Sequence, residues 1–97
     1  MKNKLKIALA QLDCREGNKE ANLQKIEWSI EQAHVQQADI LVIPEMMLTG
    51  FLPREEMLKL AETREGSSMR RIQEQIRRFP VSMIYTFFGI RLRAADL

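Results

Sequence analysis

The stretch that decides the fold of this chain is Ala38-Asp39-Ile40-Leu41-Val42-Ile43-Pro44-Glu45. Its four consecutive aliphatic residues, 40–43, do not alternate with polar ones, which is typical of a strand covered on both faces in a parallel sheet. Pro44 ends the strand, because proline has no N–H to donate to a neighbouring strand. Glu45 is therefore predicted to lie just beyond the carboxyl end of a buried strand.

The segments that precede this strand predict a first strand and a helix. Residues 5–12 are mostly apolar and short, as in a largely buried strand. Gly17 and Asn18 are turn and cap residues ahead of a helical stretch. The apolar residues of that stretch recur at helical spacing and predict one buried face. They are Leu23, Ile26, Ile30 and Ala33.

The segments that follow predict two more helices and a third strand. Pro53 is placed to start a short helix that runs through Leu60. Gly66 supplies a break, and the two serines after it supply a cap for a further helix. The apolar residues of that helix repeat the earlier spacing: Met69, Ile72, Ile76 and Phe79. Residues 81–90 are rich in β-branched and aromatic side chains and predict a strand. The βαβαβ order indicates an α/β fold with a mainly parallel sheet.

Composition narrows the class of protein. Hydrophobic residues make up 45% of the chain and charged residues 29%, which is typical of a globular domain. No apolar run approaches the roughly 20 residues that cross a bilayer. The single cysteine, Cys14, cannot form an internal disulfide, in agreement with a reducing compartment. We therefore expect a cytoplasmic protein without a membrane partner.

The charge pattern argues against a nucleic-acid partner. The net charge of +2 is too small to indicate one by itself. Four arginines share one side of the last predicted helix, and no aromatic residue lies among them to stack on bases. They are Arg70, Arg71, Arg77 and Arg78. We interpret them as a solvated helix face.

Trp28 does not belong to the apolar face of the first predicted helix. At about 100° per residue it lies on the outer side of that helix, and Val35, one heptad further on, shares this side. An outer tryptophan is either partly exposed or part of a contact surface for another layer or chain. Association through Trp28 and Val35, including homo-oligomerisation, is therefore one prediction of the sequence.

Two acidic residues follow predicted strands, Asp13 after the first and Glu45 after the second. Sites in open α/β sheets form beyond the carboxyl ends of the strands, where a carboxylate can act as a general base. The spacing alone leaves equally open that Glu45 is a loop carboxylate with local hydrogen bonds.

The other reactive side chains form no recognisable site. Cys14 lies in the loop after the first strand, and no histidine or lysine near it in sequence marks it as an activated thiolate. His34 stands alone, whereas zinc needs three or four ligands. Lys59 follows the glutamate loop and is expected to be solvated. No phosphate-loop glycine pattern is present. The sequence predicts neither a metal nor a cofactor.

Several of these segments resemble the nitrilase superfamily of carbon–nitrogen hydrolases. The specific part is residues 38–45 with Leu48-Thr49-Gly50-Phe51, similar to that family's "AD-aliphatics-PE…LTGY" segment, where tyrosine is common at the position of Phe51. Residues 6–12 are similar to the family's opening segment. The helix ends resemble it as well, in Gly17-Asn18 with Asn22 and in Ala61-Glu62 with Gly66.

The resemblance implies a fold and a mechanism. The fold is part of an αββα sandwich, with residues 1–90 as the N-terminal part of a carbon–nitrogen hydrolase domain and residues 91–97 as an unmatched tail. In the family a cysteine thiolate attacks an amide or nitrile carbon, a glutamate moves the protons and a lysine supports the negative charge. Only the glutamate matches here, at Glu45, as the general base. The expected protein is therefore a truncated or frameshifted member that is inactive alone.

Two other classes of protein share some of these features. A non-enzymatic α/β module would dock on another chain through Trp28, Val35 and an uncovered sheet. A receiver-like or flavodoxin-like domain has the same element order. A receiver would need an acceptor aspartate after a later strand, and residues 81–90 contain none. The loop after the first strand, Asp13-Cys14-Arg15-Glu16, is unsuited to binding a flavin phosphate.

Overall fold

The sheet of this protein is parallel and has its second strand in the centre. A computed structural model describes residues 4–63 and 65–85. Within them the strand order is β1-β2-β3. These strands are β1 (Ile7–Leu9), β2 (Ile40–Val42) and β3 (Ser82–Ile84). The predicted α/β class and parallel pairing are confirmed. The predicted continuation of the third strand over 86–90 and the tail 91–97 lie outside the described residues.

Three helices connect the strands in the described ranges. The helices are α1 (Lys19–Val35), between β1 and β2, and α2 (Arg54–Leu60) and α3 (Ser67–Arg78), between β2 and β3. The three parallel strands lie side by side in the order in which they occur in the chain. When the connections between such strands are right-handed, the connecting helices lie on the same side of the sheet. In the part of the chain that the structure describes, no helix is both long and apolar enough to cross a membrane.

The hydrophobic core lies between one face of the sheet and the two longer helices. The four apolar residues predicted for the inner face of α1 are at most 4% exposed. Met69 and Ile72 of α3 are buried as well, and they pack in one cluster with Leu41 of β2 and Met83 of β3. The predicted helical periodicities are therefore confirmed.

The opposite face of the sheet carries no helix within the described residues. Ile7 is 54% exposed, Leu9 68% and Ile84 59%, and they follow the two-residue alternation of a strand with one buried side. The expectations of a largely buried first strand and of a second strand covered on both faces are wrong for the described part of the chain. The reason is that both long helices, α1 and α3, pack on the same face of the sheet.

The two long helices begin in different ways. The Asn18 side chain accepts a hydrogen bond from the backbone N–H of Ala21 at 3.0 Å, so the predicted cap of α1 is confirmed. The predicted serine cap of α3 is wrong, because Gly66 is the capping residue and has no side chain to accept a bond. The Glu62 carboxylate reaches forward instead and accepts from the backbone N–H of Ser68 at 2.9 Å.

Arg71 differs from the other arginines of its helix. Its guanidinium donates to the carboxylates of Glu20 at 2.5 Å and of Glu27 at 2.6 Å, both on α1. Hydrogen bonds from Arg71 lower the pKa of Glu20, and those to Glu27 and Glu20 raise the pKa of Arg71. The solvated-face interpretation is therefore wrong for Arg71, which connects α3 to α1, whereas Arg70 is exposed as expected.

Candidate functional site

Glu45 lies at the carboxyl end of the central strand, where the sequence predicted it. Ile43, which directly follows β2, is 5% exposed, and its backbone N–H donates to the carbonyl of Ile84 at 3.0 Å. Pro44 then leads into a turn that begins at Glu45, and the Glu45 side chain is exposed. The central strand, with Leu41 2% exposed, thus leads into a turn that presents an accessible carboxylate three residues beyond the strand.

The turn that carries Glu45 is anchored in the core by its own residues. Met47 and Thr49 are 1% exposed and Leu48 is 4% exposed. The backbone N–H of Gly50 closes the turn by donating to the carbonyl of Met46 at 2.8 Å. Met46 has φ 56, a left-handed conformation that is unfavourable for a residue with a long side chain and persists only where the surroundings enforce it.

The Glu45 turn is also joined to the loop that follows β1. The backbone N–H of Gly17 donates to the carbonyl of Thr49 at 2.8 Å. Gly50 has φ +74, and a Cβ atom placed there would lie 3.0 Å from Cγ of Glu16 and 3.2 Å from Sγ of Cys14. Only glycine adopts this backbone conformation easily and leaves room for the Glu16 and Cys14 side chains. This is a physical reason for the glycine in the Leu-Thr-Gly motif.

Asn22, on the first turn of α1, reaches both loops. Its exposed fraction is 0%. The side-chain Oδ1 accepts from the backbone N–H of Arg15 at 2.7 Å, and Nδ2 donates to the carbonyls of Arg15 and Leu48, each at 2.8 Å. The loop after β1 and the turn after β2 therefore share one buried side chain.

The Glu45 carboxylate makes no hydrogen bond or ion pair with any other residue of the described ranges. The alternative of a loop carboxylate with local hydrogen bonds therefore finds no support in this part of the chain. A carboxylate that is exposed and unpaired is free to accept a proton from a group that approaches it. Its role as general base stays a prediction.

The other sequence candidates have separate surroundings. Cys14 is half-buried beside the core and next to Gly50. Lys59 is exposed on α2, as expected. The Nδ1 atom of His34 lies 3.0 Å from the carbonyl oxygen of Pro80. Asp13 is exposed, and its backbone carbonyl accepts from Lys25. Among the residues that the structure describes, no three histidine, cysteine or acidic side chains are close enough to hold a metal ion.

Sequence reasoning missed the function of Glu62 as an anchor between helices. Its carboxylate forms an ion pair with Lys19 on α1, and their side chains are 12% and 22% exposed. It also accepts from the backbone N–H and the hydroxyl of Ser68. Burial alone would raise the pKa of Glu62, but the hydrogen bonds from Lys19 and Ser68 lower it to about 2. The sole signal in the sequence was the family resemblance at Ala61-Glu62 and Gly66.

Comparisons with known proteins identify relatives of the chain. The family model described as carbon–nitrogen hydrolase matches residues 6–95. The glutamine-dependent NAD(+) synthetase of Thermotoga maritima is 32% identical over 85 residues, which are 87% of this chain and 15% of that protein. The chain therefore spans a small part of the length of this relative. The matched range includes β2, the turn that carries Glu45, and Asn22.

Proposed function

Because this chain belongs to the carbon–nitrogen hydrolase family, we propose that Glu45 is the general base in the hydrolysis of a small-molecule amide. The observation that carries the proposal is a contrast between the backbone and the carboxylate of the Glu45 turn. The backbone of this turn is held by buried residues and by the neighbouring loop, whereas the Glu45 carboxylate is exposed and unpaired within the described residues. A rigid backbone with an accessible proton acceptor is what general-base catalysis requires.

The proposed chemistry is the one that the family resemblance implies. A cysteine thiolate attacks the amide carbon, a covalent intermediate forms and the nitrogen leaves as ammonia or an amine. Water then releases the acid. Glu45 accepts the thiol proton, donates it to the departing nitrogen, then accepts a proton from the attacking water and returns it to the thiolate as the acid leaves, while a lysine stabilises the negative charge on the substrate oxygen.

We further propose that the 97-residue chain alone does not hydrolyse amides or nitriles. Its one cysteine, Cys14, is half-buried in the loop after β1 next to Gly50, so it lacks the access that a nucleophile needs. Loss of the nucleophile from a cooperating set of residues can lower the rate about a million-fold.

The proposed substrate class is a carboxamide rather than a nitrile. The name of the Thermotoga maritima relative describes an enzyme that depends on glutamine, and the side chain of glutamine ends in a carboxamide. Glutamine is therefore the first substrate to test. We propose no nucleic-acid partner. We propose a cytoplasmic location, which the single cysteine supports.

A chimera tests the catalytic role. The matching segment of the Thermotoga maritima protein is replaced with this chain's segment, and ammonia release from glutamine is measured for the parent chimera and for Glu45→Gln. The amide has nearly the shape of the carboxylate but cannot accept the proton. We expect Glu45→Gln to lower kcat by about 100- to 10,000-fold.

The matched control is Glu55→Gln, which changes an exposed carboxylate on α2 and should leave kcat unchanged. Turnover by the Glu45→Gln chimera at the rate of the parent would contradict the proposed role. Ammonia release by the 97-residue chain alone, at a rate that Glu45→Gln does not lower, would contradict both the role and the expected inactivity.

A second candidate function is a non-enzymatic module that binds another chain. Two exposed apolar surfaces favour it, the outer side of α1, where Trp28 is 58% and Val35 64% exposed, and the uncovered sheet face with Ile7 and Leu9. Such surfaces favour association. Trp28→Glu should then shift the chain to a smaller species in size-exclusion chromatography. A concentration-independent monomer for the unsubstituted chain would exclude this candidate.

A further inference from the structure

We propose that Asn22 is a positioning residue that holds the Glu45 turn in place from the neighbouring helix. The inference rests on the proposed function, because it assigns Asn22 to the geometry of the same carboxylate. Asn22 touches neither Glu45 nor, in the proposed chemistry, the substrate. It acts through the backbone of Leu48, three residues beyond Glu45.

The hydrogen-bonding capacity of Asn22 is used almost completely. Both N–H groups of its amide have a carbonyl partner, and its oxygen accepts from Arg15. The orientation of the amide is unambiguous, because Arg15 N–H needs an acceptor and Leu48 C=O needs a donor. A fully buried amide loses much of its stabilisation when one partner moves away. The two loops are therefore held at one separation.

The constraint at Leu48 extends to Glu45 through only three residues of backbone, which form a hydrogen-bonded turn. The Leu48 side chain and that of Met47 are buried, and the Gly50 N–H closes the turn onto Met46. Met46 is in a left-handed conformation, which persists only where the surroundings enforce it. Release of the Leu48 carbonyl would remove one of the contacts that hold the turn, and Glu45 would move with the turn.

Two nearby polar residues, Asn18 and Ser29, form hydrogen bonds that do not join the two loops. Asn18 caps the helix that it precedes, and Ser29, which is 4% exposed, donates to the carbonyl of Lys25 within α1. Ser29 is therefore a buried polar residue of the same helix whose hydrogen bond stays within α1, and Ser29→Ala is the matched control.

Amide hydrogen exchange of the 97-residue chain, followed by NMR, tests the inference. Asn22→Ala and Asn22→Asp should each accelerate exchange at Gly17 and Gly50 about tenfold or more relative to amides inside α3. Asn22→Asp keeps the size of the side chain and the acceptor for Arg15 but removes both donors. Because a buried carboxylate would itself disturb this site, Asn22→Leu, which keeps the branched shape without polar atoms, should accelerate exchange at the same two amides, whereas a side chain that only fills space would show normal exchange with Leu. Ser29→Ala should leave the ratio of loop to α3 exchange unchanged.

A measurement on the unsubstituted chain covers the case in which the variants do not fold. The side-chain amide hydrogens of Asn22 should exchange at least about tenfold more slowly than those of Asn18, which is exposed. Equal exchange rates for the side-chain amides of Asn22 and Asn18 would overturn the inference. Normal exchange at Gly17 and Gly50 in Asn22→Asp would also overturn it, and so would equal acceleration of the loop and α3 amides in Asn22→Ala. The exchange measurements do not depend on catalysis, so they test the positioning by Asn22 alone. A failure of the proposed function would appear only as unchanged ammonia release by the Glu45→Gln chimera.

Discussion

Two loops of this protein each carry a glutamate, and they use it in opposite ways. Glu45 begins the turn after the central strand and is exposed, without a hydrogen bond or ion pair among the described residues. Glu62, in the segment between α2 and α3, is 12% exposed and binds Lys19 and Ser68. The second carboxylate is committed to holding helices together, and the first is left accessible.

The difference shows where a functional acid can be sought in a fold of this kind. A carboxylate whose partners stabilise its ionised form has a depressed pKa, as Glu62 has at about 2, and is a poor proton acceptor near neutral pH. Glu45 has no such partners among the described residues, and its carboxylate is exposed to a group that approaches it. The two loops therefore differ in the burial and in the partners of their carboxylates.

The largest expected effect on stability is that of Glu62→Ala. The substitution removes the acceptor of the Ser68 N–H at the start of α3 and leaves Lys19, which is 22% exposed, without its carboxylate partner. We expect the free energy of unfolding to fall by about 3 kcal/mol, measured by urea denaturation. Glu56→Ala, at an exposed position on α2, is the control and should cost less than about 0.5 kcal/mol. Equal losses in the two variants would remove the contrast between the loops.

Acid should weaken the same anchor by a somewhat smaller amount. The pKa of Glu62 in the folded protein, about 2, lies below its ordinary value of 4.5. The resulting stabilisation is therefore complete above the ordinary value and is lost as the pH falls towards 2. Between pH 6 and pH 3 the stability advantage of the unsubstituted protein over Glu62→Gln should shrink by roughly 2 kcal/mol. An advantage that stays constant over this range would contradict the assigned pKa.

The smallest expected effect is that of Glu45→Gln on stability. Because the exposed carboxylate has no partner in the described ranges, its replacement should change the free energy of unfolding by less than about 0.5 kcal/mol, again in urea denaturation. A loss of more than 1 kcal/mol in this variant would mean that Glu45 is a structural residue like Glu62. The catalytic proposal would then lose its main support.

The sequence was sufficient for those features that depend on local periodicity. The spacing of Leu23, Ile26 and Ile30 predicted the buried face of α1, and all three are buried. The aliphatic run 40–43 and Pro44 predicted the central strand and the position of Glu45 at its end. In each case neighbours along the chain determine the structure, so the pattern can be recognised without knowledge of the fold.

The features that sequence reasoning missed depend on contacts between distant segments. Glu62 caps α3 from six residues before Ser68 and pairs with Lys19, 43 positions earlier in the chain. Arg71 looked like part of a solvated face because its partners are on another helix. Asn22 resembled a helix-entry motif, but its contact with Leu48 could not be inferred from spacing. Polar residues leave no periodic signal of such contacts.

The position of Trp28 determines what fluorescence can report about this protein. It is the one tryptophan of the sequence, and 58% of it is exposed on the outer side of α1, where it lines the same open groove as Leu9 and Leu12. Its emission in the native state should already resemble that of an indole in water, so loss of the core will change the spectrum little. A shift to shorter wavelength on mixing with another molecule would instead signal that the outer side of α1 has been covered.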